Sequence, residues 1–287
     1  MKIIKTFFYL FFMLLVISCS NEAENKMADA AEPADAESIN NKSAETKVYT
    51  LPAPLQMVTA IKLYNPEYSQ RVLGSEKNLK TIFSSAYARA LALGIYTIDL
   101  GYATVYAQHP ASMEYVKGIQ SIAQDLGVSS GIQPQIYKRF KENKDNEDSL
   151  CHIILESYRD AHTYFQNNKR EDVAMFIVTG GYIEGLYLTL SAKNDKGQWL
   201  YYPNLVGQQK IYLQNIIEII DFYNKNRSTE VNNLLTDLRE LYKVYEEIKV
   251  EYKTTGDTDM VDCDVTPAKA ARLLNKVKML RESILNA

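Results

Sequence analysis

Three cysteines, three histidines and one tryptophan in 287 residues leave little material for a disulfide scaffold or a metal centre. No CxxC, CxxCH or mixed Cys/His zinc spacing occurs, which excludes the common structural-metal and haem-attachment patterns. The HExxH metalloprotease motif and the GxHxxE signature of imelysin-like iron-uptake proteins are absent as well. Ser, His and Asp are not expected to form a nucleophile elbow of the GxSxG type. Positive charge is also not in excess. With 32 Lys and Arg against 35 Asp and Glu, the net charge of −3 provides no basic footprint for nucleic acid. Catalytic constellations are thus thin, and an enzyme is the less expected reading; no metal or cofactor is expected.

What is there begins at the N-terminus. Lys2 and Lys5 precede an apolar run from Thr6 to Ile17, which is too short to span a bilayer well and has the length of a signal-peptide core. The run ends Leu15-Val16-Ile17-Ser18-Cys19, which resembles the lipobox of bacterial lipoproteins: an aliphatic residue, a small residue, then the lipidated thiol. That resemblance implies cleavage after residue 18 and acylation of Cys19, with palmitate-type chains holding the mature protein at a membrane. From Ser20 to Leu51 seven acids face three lysines, with almost nothing large and apolar to bury. This composition predicts a disordered acidic tether with a reach of about 30 Å. The expected organisation is a signal peptide (1–18), an anchor and tether (19–52) and one helical domain (53–287).

Within that domain, apolar residues recur three and four apart over long proline-free segments, and strand-like alternation is nearly absent. The pattern predicts an all-α fold, a single antiparallel bundle of eight or nine helices. The helices are expected near 54–64, 76–108, 111–126, 134–143, 147–167, 170–192, 204–225, 229–252 and 267–285. Pro110, Gly127 and the pair Thr266-Pro267 mark helix ends through first-turn proline, C-terminal glycine and N-cap chemistry.

Two segments, Ala88–Ala107 and Val173–Ser191, are apolar on nearly every face yet contain Gly94, Gly101, Gly180, Gly181 and Gly185. Each interior glycine costs about 1 kcal/mol relative to alanine. Close approach of two helix backbones offsets that cost, so the two helices are expected to pack together at the centre of the domain. Asp99 and Glu184 interrupt these runs and argue against a membrane span. Helical spacing puts Tyr96 and Tyr102 on the face of Asp99, and Tyr187 on that of Glu184. Carboxylates in such surroundings need partners. Tyrosine hydroxyls, backbone donors, Arg89 or Arg159 can supply them, knitting helices together. The functional alternative is a core pocket of Tyr96, Asp99, Tyr102, Glu184 and Tyr187 that binds a small polar ligand or cation, or performs acid–base chemistry.

The segments Val58–Tyr64, Leu93–Ala103 and Gly180–Tyr187 resemble those of uncharacterised helical lipoproteins of Bacteroidota. The resemblance implies a cell-envelope address and a helical bundle, and carries no known activity.

Other features have plain structural readings. His152, Glu156 and Asp160 share a helix face that looks solvated, and the acidic segment 257–264 lacks the EF-hand glycine and terminal glutamate, so it is expected to be a solvated loop. Cys151 and Cys263 can pair in an oxidising compartment; free thiols are the expectation. Trp199, Tyr201 and Tyr202 cluster among 21 tyrosines and form a candidate surface aromatic patch for a sugar or partner, unless they close a bundle end. The functional expectation is an envelope lipoprotein, placed at the outer membrane, acting as a helical binding module for another envelope protein or a small polar ligand. Its membrane contact is the N-terminal lipid. A purely structural lipoprotein is the remaining alternative.

Overall fold

The computed structural model describes residues 56–63, 67–74, 83–131, 135–193, 196, 202–223, 228–255 and 258–286. The signal segment, Cys19 and the tether lie outside the described residues. Among those described, the fold is all-α apart from one hairpin. Its helices are α1 (Gln56–Leu63), α2 (Ala86–Val105), α3 (His109–Asp125), α4 (Ile136–Glu142), α5 (Glu147–Asn167), α6 (Glu171–Ser191), α7 (Pro203–Tyr223), α8 (Thr229–Glu246) and α9 (Pro267–Leu285).

The ends follow from cap chemistry. Ser85 Oγ accepts from Ala88 N at 3.2 Å, Ser228 Oγ from Val231 N at 3.3 Å, and Thr266 Oγ1 from Lys269 N at 3.3 Å with Pro267 in the first turn. Gly127, at φ +72°, closes the chain beyond α3.

At the centre, α2 packs along α6, and α6 also touches α1, α5, α7 and α9. The glycines explain the closeness. A Cβ on Gly94 would lie 1.9 Å from the Ile177 carbonyl oxygen, and one on Gly180 would lie 2.0 Å from that of Leu91. Each helix thus seats a glycine against the other's backbone, as the apolar runs led us to expect. By length and composition α6 could cross a membrane, but two thirds (67%) of its apolar window is buried inside the fold. Its apolarity is that of a central core helix.

Two expectations need correction. The first helix of the central pair begins at Ala86 rather than 76: Phe83–Ser85 precede it and residues 76–82 lie outside the described set. The helix expected over 229–252 stops at Glu246, and the segment expected to be an acidic loop forms the second strand of a hairpin. Its strands, β1 (Val250–Thr255) and β2 (Thr258–Cys263), pair antiparallel from Val250 opposite Cys263 to Thr255 opposite Thr258. Valine and threonine favour the extended chain at β1, and Gly256-Asp257 has the Gly-X form of a two-residue hairpin connection. β2 docks on α7 because position 207 is glycine: a Cβ there would stand 2.2 Å from Cys263 Sγ.

Candidate functional site

Asp99 on α2 and Glu184 on α6 are both fully buried, and the packing of those helices brings them near enough for each carboxylate to feel the other's charge. Their partner comes from the far end of the chain. Arg281 on α9 grips Glu184 through two nitrogens, Nε to Oε2 and Nη2 to Oε1 at 3.0 Å, a bidentate ion pair in the core. The same guanidinium donates to the Val72 carbonyl at 3.2 Å and stacks over the Tyr187 ring at 4.6 Å. Burial opposes the charge on Arg281, but Glu184 outweighs that effect and holds its pKa above the ordinary guanidinium range.

The cluster clasps one stretch of chain. Asp99 Oδ2 accepts from Gly74 N at 2.9 Å, Tyr115 donates to Gly74 O at 2.6 Å, and Tyr102 accepts from Ser69 N at 3.2 Å. A side chain at position 74 would meet Asp99 and Tyr96 at 2.8 Å, so only glycine lets the backbone come this near. Asp99 and Tyr102 of α2, Tyr115 of α3 and Arg281 of α9 therefore hold residues 69–74 against the bundle.

Among the described residues, Asp99 Oδ1 and the Tyr96 hydroxyl, both buried, find no hydrogen-bond partner. Desolvation, then the adjacent Glu184 charge, raises the Asp99 pKa well above the usual carboxylate range, against the lowering effects of Arg281 and Gly74. Burial and the Glu184 charge thus favour the protonated form of Asp99. In the unfolded chain Asp99 ionises near 3.8, so above that pH the folded state keeps a proton the unfolded state has lost. This contribution makes stability fall as pH rises, at up to about 1.4 kcal/mol per pH unit, until the folded pKa is passed. Asp99→Asn copies the protonated acid, accepting from Gly74 and donating to Glu184. Urea melts between pH 4 and 8 should show the variant gaining on the native protein as pH rises; parallel curves would place the proton elsewhere.

Of the five residues anticipated from sequence, Tyr96, Asp99 and Glu184 lie together, with Tyr187 joined through Arg281. Tyr102 belongs instead to a ring cluster with Tyr68 and Tyr106, at centroid separations of 5.5 and 4.8 Å. The partner of Glu184 is neither Arg89 nor Arg159, which are half-buried and exposed respectively. The signal for Arg281 was present: it lies four residues after Val277 and eight after Leu273, on the buried stripe of α9.

The remaining candidates separate. Trp199 and Tyr201 lie outside the described residues, and Tyr202 is buried (7% exposed), which removes it from a surface patch. His152 is exposed, while Glu156 pairs with Arg139 at 2.5 Å. Among the described residues no three His, Cys, Asp or Glu converge on a metal position. Cys151 and Cys263 are free thiols, each with its pKa raised, chiefly by burial. Gly127-Val128-Ser129-Ser130-Gly131 matches the letter spacing of a nucleophile elbow, but Ser129 starts a 3₁₀ turn beyond a helix, with no strand before it.

A second feature was not anticipated. Beside the central pair, where α5 lies over α2 and α6, an apolar slot holds about 100 Å³ of free space, partly open at the surface. None of Tyr96, Asp99, Tyr102, Glu184 or Tyr187 lines it. Comparison of the chain with protein-family models, curated proteins and solved structures finds no match.

Proposed function

We propose that the chain is a membrane-anchored envelope lipoprotein, acylated at Cys19 and placed at the outer membrane, whose helical domain binds rather than catalyses. One observation carries the preference for binding: both acids that acid–base chemistry would use are fully buried and taken up internally, Glu184 by Arg281 and Asp99 by Gly74. A general acid or base must come within hydrogen-bonding reach of a substrate. The lipobox-like ending at Cys19 and the acidic segment after it support the anchor, and the resemblance to helical lipoproteins of Bacteroidota belongs to the same reading.

The anchor is tested by fractionation. Native protein should sediment with membranes and take up a palmitate analogue, whereas Cys19→Ser should be unlabelled and released into the soluble fraction. A variant that stays membrane-bound without label would remove the lipid anchor from the reading. Turnover of any envelope substrate that disappears in Asp99→Asn, with the fold intact, would remove the non-catalytic part.

A further inference from the structure

We infer that the slot beneath α5 is a binding site for a single linear alkyl chain, supplied by a bilayer lipid. The inference deepens the binding-module reading and rests on it for the source of the chain.

The shape argues for a chain. One wall runs along α6 from Ala174 to Gly185 and another along α5 from Ile154 to Phe165, twelve residues each and so about 16 Å of helix. Free space of about 100 Å³ drawn out over that length is a narrow slot rather than a compact void. A compact apolar cavity of about 150 Å³ admits benzene. The slot is too thin for rings, and its partial opening at the surface lets a chain enter without being wholly enclosed.

The lining argues for carbon. Among the described residues that line the slot, none carries a charged side chain. Thr97 and Ser157 stand on its walls but donate their hydroxyls to the carbonyls of Leu93 and Ile153 in their own helices, each at 2.7 Å. Tyr182 directs its hydroxyl to Gln209 O at 3.2 Å. Apart from Tyr158, these walls therefore turn hydrocarbon toward the space. Small residues open it: Ala161 on α5, and Ala174 and Gly181 on α6. A Cβ on Gly181 would meet nothing closer than 3.5 Å, unlike the tight contacts at Gly94 and Gly180, so its missing side chain leaves room. A domain tethered about 30 Å from a bilayer meets lipid chains as its most abundant apolar neighbour.

The test uses the full chain carrying Cys19→Ser, which has no acyl group of its own, so it reads the slot independently of membrane attachment. Straight-chain fatty acids of increasing length, below their micelle concentrations, should raise the melting temperature by several degrees. The shift should grow with length until the chain outruns the slot, and cyclohexanecarboxylate should give none. Ala161→Leu and Ala174→Leu, which fill the slot from different walls, should each lose the shift; if one variant fails to fold, the other still reads the site. No shift at any length, an equal shift in the filled variants, or an equal response to the ring compound would overturn the proposal. After incubation with phosphatidylethanolamine vesicles and repurification, native mass spectrometry should find one bound phospholipid, absent from the filled variants. If vesicle lipid never binds, and the acylated wild-type chain alone resists the fatty acids, the occupant is the protein's own anchor and the bilayer source is wrong.

Discussion

Gly94→Val is expected to abolish folding, or to destabilise the protein by about 4 kcal/mol or more, at the extreme of single-substitution effects. Overpacking a core with extra methyl groups ordinarily costs about 1–3 kcal/mol, because neighbouring side chains change rotamer to make room. At Gly94 the obstacle is backbone. The new Cβ would sit 1.9 Å from the Ile177 oxygen and 2.7 Å from the Gly181 nitrogen, so α2 and α6 must separate along their whole contact. That separation would also pull Asp99 from Glu184. Gly181→Ala provides the control: its nearest neighbour would be at 3.5 Å, and the gain in helix propensity should stabilise the protein by up to about 1 kcal/mol. Chemical denaturation of both variants reads the contrast. Similar losses at the two positions would mean that helix propensity, and not interhelical contact, fixes these glycines.

The central pair was legible because two signals coincide in it: apolar residues on every face, and glycines that helix propensity disfavours. Neither signal depends on distant partners. The hairpin was missed because β1 is brief and follows α8 after only three residues, and because Tyr245 and Ile248, both buried, extend the helical apolar pattern to its doorstep. The alternation Val250-Glu251-Tyr252-Lys253 is strand-like, and the hairpin-type dipeptide Gly256-Asp257 in the sequence should have outweighed the helical continuation.

For the site, local spacing identified the two carboxylates and their tyrosines but could not identify the cation. Arg281 is 97 residues from Glu184 in the chain. Periodicity within α9 places it on the buried stripe, and a buried arginine implies a buried acid; what no local pattern contains is which acid. The slot was illegible for a different reason. Alanine and glycine on a helix face mean close packing at Gly94 and Gly180 but open space at Gly181, and only the position of the neighbouring helix distinguishes the two.

Glu184→Ala is the second large effect, and the ion pair makes its pH dependence informative. Removing one partner of a buried pair typically costs about 3–5 kcal/mol, because the other charge stays in the core uncompensated. Here Arg281 would retain the Val72 carbonyl and the Tyr187 ring, neither of which neutralises it. Asp99 stands near enough to feel the Arg281 charge and, with Glu184 gone, loses a neighbour that disfavours its ionisation. Its folded pKa should therefore fall, while burial, the largest cause, continues to raise it. Glu184→Ala should then be less stable than the native protein at every pH, and the decline in stability above pH 4 assigned to Asp99 should end at a lower pH than in the native protein. The double variant Glu184→Leu with Arg281→Met removes both charges and should recover most of the loss, since apolar replacements of a buried pair are often neutral or better. Equilibrium melts of the two single variants and the double variant, each at pH 4 and pH 8, complete the cycle. A double variant as unstable as the sum of the singles would mean that Arg281 and Glu184 act separately, and the hold of Arg281 on the Val72 carbonyl, rather than the ion pair, would be what Arg281 contributes to the core.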